Sequence, residues 1–457
     1  MKKYLLLILF YCISQIGVAC NISSSIFVNI ERNDKRSNES LFFIRTTIEQ
    51  HVQLQNIKSD SLTLVLENFH PLGAIIPAYT FPQLQVFEKI SQNADYQKIN
   101  FSFDGTTIIF PTSNENFNIK IVYENYALSF AQHVEAFYLF DYRYDSESWF
   151  FTHPNMQIQA VNISVSDDFY FFSNLPETIH NNTFQLNTEV LSDNNISFVV
   201  LLKEYYEKMS FSNELNKFDI YFSKEYGISE DSTRFLPIDK SIYWMEENLQ
   251  TIKTAAIKIN KFIPDISRNI CIIDGELNTE GMAWGMSISP VAKKDYLILI
   301  DVSFWKNKTI VHEMLHCYFP FVPQKEDSAF YLLGESMIEF LAISLSNDTK
   351  KAEKIFKENL KNSKRKGYGK VSIFDITDNR MDATTQKGSS VVIYQKTPAL
   401  IHKFAKKNGG VDKFLGSLSI FYQQVQATEK ISFQEFENVL KFQGISGKQW
   451  DRFVKKL

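Results

Sequence analysis

The stretch TIVHEMLHCYFP, residues 309–320, contains His312 and His316 four positions apart, with Glu313 directly after the first histidine. Residues four apart on an α-helix lie on the same face, so both imidazoles can bind one metal ion. A carboxylate beside such a pair can take a proton from a metal-bound water, which is the His-Glu-x-x-His arrangement of zinc hydrolysis. The alternative is a pair of histidines that share a helix face and bind no metal.

A third ligand distinguishes these alternatives, because hydrolytic zinc sites use three protein ligands and leave one position for water. The stretch DSAFYLLGESMIEFLAISL predicts a helix that begins near Asp327, and Glu335 on it follows His316 after 18 intervening residues. We therefore predict that Zn²⁺ is bound by His312, His316 and Glu335. Glu339 lies one helical turn further on, where it either orients a histidine ligand or faces solvent.

The bulk composition is that of an ordinary globular protein. The chain has 457 residues with 44% hydrophobic and 22% charged residues, which predicts two or three domains. The formal net charge is −4, so we expect no nucleic acid partner.

Hydrophobic periodicity divides the chain into two regions. Residues 21–200 alternate apolar and polar positions in short runs such as FNIKIVYENYALSF and QIQAVNISVS, which predicts an antiparallel β saddle or sandwich. Residues 201–457 begin with a helix at 240–263 and the strands ICIID and DYLILIDV, which predicts an α+β domain. Further helices are predicted at 308–319, 328–345, 349–362, 390–407, 411–422, 433–442 and 447–456.

The N-terminus, MKKYLLLILFYCISQIGVAC, has a basic start, a short apolar run and small residues before Cys20. This is the layout of a secretory signal peptide, so we predict residues 1–20 as a signal and an exported protein. The product is then periplasmic, secreted, or a cell-envelope lipoprotein in which a lipid on Cys20 gives the only membrane contact. An uncleaved membrane anchor is the alternative. Only Cys271 and Cys317 remain in the body of the chain, so we expect no disulfide framework.

The spacing HExxH-x18-E resembles that of the gluzincin metallopeptidases of the aminopeptidase N and leukotriene hydrolase family. YLLGESMIEF is similar to that family's helix around the third ligand, and VVIYQKTPALIHKF resembles its Tyr-x-Lys-Gly segment. The resemblance implies a β-domain followed by a thermolysin-like catalytic domain that ends in helices. It also implies that Glu313 is the general base and that Tyr394 stabilises the tetrahedral intermediate.

Two segments depart from the family pattern. In TEGMAWGMSIS, Gly281 and Met282 align with the family's Gly-x-Met-Glu-Asn strand, which puts Ala283 where a glutamate would hold the substrate's free amine. We expect Gly281, Met282 and Ala283 to line the substrate cleft. In the family, a glycine follows the lysine that corresponds to Lys396. Here Thr397-Pro398 stands in its place. The family's large C-terminal helical domain is expected to be absent, which would leave a more open site.

The resemblance implies an exported zinc metallopeptidase with aminopeptidase-like action on a peptide or oligopeptide substrate. Two alternatives stay open because of the altered amine-binding strand. One is a zinc-containing binding or scaffold module with little peptidase activity, and the other is an endopeptidase without selectivity for a free amine.

Overall fold

The structure is a computed structural model of the 457-residue chain. It describes residues 21–32, 44–56, 61–65, 84–89, 91, 93–104, 107–112, 116–125, 137–140, 150–190, 196–213, 216–223, 242–263, 268–274, 285–288, 295–300, 307–319, 331–376, 389–428 and 433–457. The predicted signal at 1–20 lies outside these residues.

Nineteen strands are present in the described residues. They are β1 Asn21–Arg32, β2 Ile44–Gln55, β3 Ser61–Val65, β4 Gln85–Lys89, β5 Gln97–Lys98, β6 Ser102–Phe103, β7 Thr107–Pro111, β8 Phe117–Asn125, β9 Phe137–Phe140, β10 Met156–Val165, β11 Phe169–Ser173, β12 Glu177–His180, β13 Thr183–Leu186, β14 Phe198–Leu202, β15 Tyr206–Ser212, β16 Asn216–Ser223, β17 Arg268–Asp274, β18 Gly285–Ile288 and β19 Asp295–Ile300.

The α-helices of the described ranges are α1 Ile242–Phe262, α2 Asn307–Tyr318, α3 Met337–Ser346, α4 Thr349–Arg365, α5 Thr397–Lys407, α6 Val411–Thr428, α7 Phe433–Phe442 and α8 Gly447–Val454. Short 3-10 turns span Thr188–Val190, Lys203–Tyr205, Tyr368–Lys370 and Ile373–Asp375, and two π-turns span Leu332–Ser336 and Val392–Lys396. No helix in this part of the chain is long and apolar enough to cross a membrane.

The N-terminal region is built on a sheet of eight strands in the order β12-β13-β10-β1-β2-β8-β4-β5. Along β1, buried residues such as Ile26 and Val28 alternate with exposed ones such as Phe27, as the period-two pattern predicts. Two three-stranded sheets, β11-β14-β9 and β3-β7-β6, accompany it. The prediction of a β-rich N-terminal region is confirmed.

The prediction that this region is purely antiparallel is wrong for one strand pair. β1 and β10 run parallel, with Ile26 opposite Val161, so the large sheet is mixed. A hairpin would have forced antiparallel pairing, but strands β2 to β9 lie between these two strands in the sequence, and a long connection permits parallel pairing.

The second region begins with a five-stranded sheet in the order β15-β16-β17-β19-β18. Its central strands β16, β17 and β19 are parallel, and α1 connects β16 to β17. The helices α2 to α8 follow, so the chain has the predicted β then α+β architecture. Strand β14, which spans the predicted boundary at residue 200, still belongs to a sheet of the first region. The boundary itself stays a prediction.

The central strands of the five-stranded sheet carry buried residues on both faces. Ile220, Ile272 and Ile298 point into the core that the sheet forms with the helices. Their neighbours Tyr221, Ile273 and Leu297 point into the core of the β-rich region. This alternation follows from the pleat of each strand and places the sheet between two hydrophobic cores.

Candidate metal centre

Helix α2 carries the predicted histidine pair on one face and residues of the hydrophobic core on another. Ile310, Met314 and Cys317 are 0% exposed and pack in the helical core. At the C-terminal end of α2, the Arg268 guanidinium donates a hydrogen bond to the Cys317 carbonyl at 3.1 Å. The helix dipole also stabilises a positive charge at this end. Cys271 and Cys317 are not joined by a disulfide, as expected.

His312 and His316 lie together on α2, with ring centroids 4.9 Å apart. Their Nε2 atoms are separated by 3.2 Å. Glu335 completes the group, with Oε2 3.5 Å from Nε2 of His312 and Oε1 3.8 Å from Nε2 of His316. In the described part of the chain, these three residues form the group of donors close enough to bind one metal ion.

The spacing of these donors fits a small divalent metal. Four tetrahedral ligands at the 2.0–2.1 Å typical of zinc lie about 3.3 Å from one another. The two Nε2 atoms, 3.2 Å apart, are close to that value, and the Glu335 carboxylate approaches His312 to 3.5 Å with one oxygen and His316 to 3.8 Å with the other. Two imidazole nitrogens and one carboxylate oxygen are the donor set of hydrolytic zinc sites. The residues present therefore fit Zn²⁺.

A second carboxylate supports the first histidine from its other side. Oε2 of Glu339 lies 3.0 Å from Nδ1 of His312, and Oε1 accepts a hydrogen bond from the Lys308 ammonium at 2.8 Å. Glu339 is only 2% exposed, so the solvent-facing alternative for this residue is wrong. A partner on Nδ1 orients the ring and leaves Nε2 as the metal-binding atom.

Burial and the neighbouring charged groups shift the pKa values of all three residues of the donor group. Burial lowers the pKa of His312, but hydrogen bonds to Glu335 and Glu339 outweigh it and raise the pKa to about 10. Burial lowers the pKa of His316 to about 4. Burial raises the pKa of Glu335, but the neighbouring His316 and His312 outweigh it and hold the pKa at about 2. The arrangement thus favours a positive charge between these groups, which a metal cation would provide.

Glu313 and Tyr394 lie beside the donor group. Glu313 directly follows His312 on α2 and is 7% exposed, and its charge raises the pKa of both His312 and Tyr394. The Tyr394 hydroxyl donates to Oε2 of Glu335 at 3.0 Å. Desolvation of the phenol and the Glu335 carboxylate raise the pKa of Tyr394 well above its usual value, so the hydroxyl stays protonated at neutral pH.

Two of these residues lie in π-turns rather than in regular α-helix. The π-turn Leu332–Ser336 contains Glu335, and the π-turn Val392–Lys396 contains Tyr394. Pro398 explains the second one. It lies four residues after Tyr394, lacks an N–H, and its ring would collide with the Tyr394 carbonyl in a regular helix. π-turns occur frequently at functional sites.

The structure thus brings together His312, His316 and Glu335, with Glu313 and Tyr394 adjacent to them. The predicted cleft residues Gly281, Met282 and Ala283 lie outside the described residues. Sequence reasoning missed Lys308, although its position four residues before His312 on one helix face was a usable signal. It also missed Ser336, whose hydroxyl donates to the Ile393 carbonyl and for which the sequence holds no signal.

No protein-family model matches the sequence, and no curated protein matches it either. Solved structures do match in fold. An aminopeptidase N family protein from Idiomarina loihiensis aligns over 94% of this chain and 75% of its own, with a TM-score of 0.58 and 12% identity. An M1 zinc metallopeptidase from Deinococcus radiodurans aligns over 96% of this chain and 94% of its own, with a TM-score of 0.48 and 9% identity. At 12% identity, the similarity to the protein from Idiomarina loihiensis is one of fold.

Proposed function

We propose that this chain is a zinc-dependent metallopeptidase that hydrolyses peptide bonds in peptide or oligopeptide substrates. The observation that carries the proposal is the convergence of three donor groups, on His312, His316 and Glu335, whose ligand atoms all lie within 4.8 Å of one another. The fold similarity to an aminopeptidase N family protein supports it.

His312, His316 and Glu335 would bind the zinc, and Glu339 holds His312 in the orientation that this requires. When bound, the metal lowers the pKa of a coordinated water and polarises the scissile carbonyl. The histidines must be neutral to bind it, so metal binding displaces the proton that the carboxylates otherwise hold at His312.

Glu313 is the proposed general base, which takes a proton from the attacking water and passes it to the leaving amine. Its position next to the first histidine supports this role. Tyr394 is the proposed oxyanion partner. Because its pKa is raised, the phenol is a hydrogen-bond donor at neutral pH, and such a donor stabilises negative charge that develops on the carbonyl oxygen.

The proposed specificity is aminopeptidase-like, and it rests on the family resemblance. The sequence TEGMAWGMSIS favours a second candidate, because Ala283 stands where the family has the amine-binding glutamate. That candidate is an endopeptidase without selectivity for a free amine. Export of the protein, as a periplasmic, secreted or Cys20-anchored product, is proposed from the N-terminal sequence.

The deciding experiment compares Glu313→Gln with the wild type for metal content and peptide hydrolysis. We expect about one zinc per chain in both proteins, and turnover only in the wild type. Glu358→Gln, at an exposed position on α4, is the matched control and should behave as wild type. A wild type without bound zinc at neutral pH would refute the metal centre, and turnover by Glu313→Gln at the wild-type rate would refute the role of Glu313.

A further inference from the structure

We propose that Ser336 is a positioning residue for Tyr394, because it supplies the hydrogen bond that Pro398 withholds from the carbonyl of Ile393. The catalytic part of this inference rests on the proposed function of Tyr394. The structural part, a hydrogen bond that compensates for a proline, stands independently of it.

The helix that carries Tyr394 departs from the regular pattern of backbone hydrogen bonds. In a regular α-helix, the Ile393 carbonyl would accept from the N–H of Thr397. That N–H donates instead to the carbonyl of Val392, in the π-turn pattern. The next residue in line for Ile393 is Pro398, which has no N–H to donate. The shift thus takes the Thr397 N–H away from the Ile393 carbonyl.

The Ser336 hydroxyl supplies a donor from the neighbouring π-turn. It donates to the Ile393 carbonyl at 2.7 Å, across 57 positions of sequence. Ser336 is 0% exposed, so water does not compete for this carbonyl at the serine's side. A buried carbonyl left without a donor is costly, which makes the bond a strong constraint on the backbone beside Tyr394.

The position of this bond makes it relevant to the site. Ser336 directly follows the proposed ligand Glu335, and Ile393 directly precedes Tyr394. The bond therefore links the two segments at the residues next to Glu335 and Tyr394. The Tyr394 hydroxyl and the Glu335 carboxylate are themselves 3.0 Å apart. We infer that it fixes the distance between the phenol and the metal-binding group.

Two other buried serines bond within their own helix. The Ser363 hydroxyl donates to the Leu360 carbonyl at 2.9 Å, and the Ser417 hydroxyl donates to the Lys413 carbonyl at 3.1 Å. Both bonds stay within one helix. Ser363 is also 0% exposed, so Ser363→Ala is a matched control for the loss of a buried serine hydroxyl.

The first test measures the catalytic consequence of Ser336→Ala. We expect kcat to fall roughly tenfold or more while KM stays close to wild type, because a displaced Tyr394 stabilises the transition state less well. A crystal structure of the variant should show the Tyr394 hydroxyl moved away from Glu335. Ser363→Ala should leave kcat unchanged. A wild-type kcat in Ser336→Ala, or an unmoved Tyr394, would overturn the positioning role.

The second test uses Pro398→Ala to return an N–H to the helix. We expect Ser336→Ala to lower the midpoint of thermal unfolding in the wild-type background, and to lower it much less in the Pro398→Ala background. Equal losses in both backgrounds would show that Ser336 does not compensate for Pro398 and would overturn the proposal.

These readouts separate this inference from the proposed function. If the wild type hydrolyses no peptide, the proposed function fails, while the unfolding midpoints and the crystal structure still decide whether Ser336 holds Tyr394. If the wild type is active and Ser336→Ala matches it in kcat, the proposed function stands and this inference fails.

Discussion

Nδ1 of His312 lies 3.0 Å from Oε2 of Glu339, while Nε2 of the same ring lies 3.5 Å from Oε2 of Glu335. Two carboxylates one helical turn apart thus contact both edges of one imidazole. The Glu339 contact keeps the proton on Nδ1 and directs the lone pair of Nε2 towards His316 and Glu335.

Glu339→Gln should weaken zinc binding, because the amide keeps the shape of the carboxylate but loses its charge. We expect the zinc dissociation constant to rise by about tenfold to a hundredfold, as for other partners that orient a metal-binding histidine. Competition with a coloured chelator measures it. Glu358→Gln is the control for the loss of one carboxylate, and an unchanged dissociation constant in Glu339→Gln would show that Glu339 does not support His312.

Tyr394→Phe should remove a transition-state contact and leave the metal in place. We expect kcat to fall by about a hundredfold to a thousandfold, with KM and zinc content near wild type, as when one oxyanion donor is removed. Steady-state kinetics together with metal analysis checks this. Tyr368→Phe, at a half-buried position on the turn Tyr368–Lys370, is the control. A Tyr394→Phe enzyme with wild-type kcat would exclude the proposed role of the phenol.

Substrates with a free amine should be cleaved faster than the same peptides with an acetylated N-terminus, if the action is aminopeptidase-like. The comparison uses matched pairs of peptides and identifies each product by mass spectrometry. Removal of single N-terminal residues is the expected result. Equal cleavage of both members of each pair, at internal bonds, would support the endopeptidase candidate that Ala283 suggests.

Asp219 should make folding stability depend on pH in the acidic range. Partial burial raises its pKa, but the Ser210 hydroxyl at 2.6 Å and the Lys208 and Lys217 ammonium groups outweigh it and lower the pKa below the usual value. A lowered folded pKa stabilises the protein above the unfolded pKa of about 3.9, and this contribution is lost as the pH falls through the folded value.

Asp219→Asn should therefore lower the free energy of unfolding by about 1 kcal/mol at neutral pH, with a difference that shrinks towards zero below pH ~4. Urea unfolding at a series of pH values measures this difference. Asp451→Asn, at an exposed position on α8, controls for the removal of one negative charge. A difference that grows on acidification would have the wrong sign for this account.

Helical periodicity was enough to predict which residues of α2 lie together on the face of the candidate metal centre. The core needs Ile310 and Met314 on one face, and this leaves His312 and His316 together on another. The same periodicity placed Glu335 and Glu339 on one face. It could not decide between burial and exposure for Glu339, because that depends on how closely α3 packs against α2 and on Lys308, which contributes the countercharge.

Other features depend on contacts that periodicity does not describe. Alternation along β1 shows which face is buried, but it does not identify the partner strand, so the parallel pairing with β10 was missed. The π-turns break the 3.6-residue period locally, and Pro398 was noted only as a departure from a glycine. The contact between Ser336 and Ile393 joins two distant segments and has no local sequence signal.

The burial of the central strands of the five-stranded sheet on both faces has a consequence for how the protein unfolds. Removal of the β-rich region would expose Tyr221, Ile273 and Leu297 to water on the sheet that lies behind the helices of the candidate metal centre. The two regions are then thermodynamically linked, and neither is expected to persist as an independent folding unit. A catalytic fragment cut after β14 should aggregate rather than yield a minimal enzyme, and loss of the metal centre on heating should coincide with melting of the distant β-rich region.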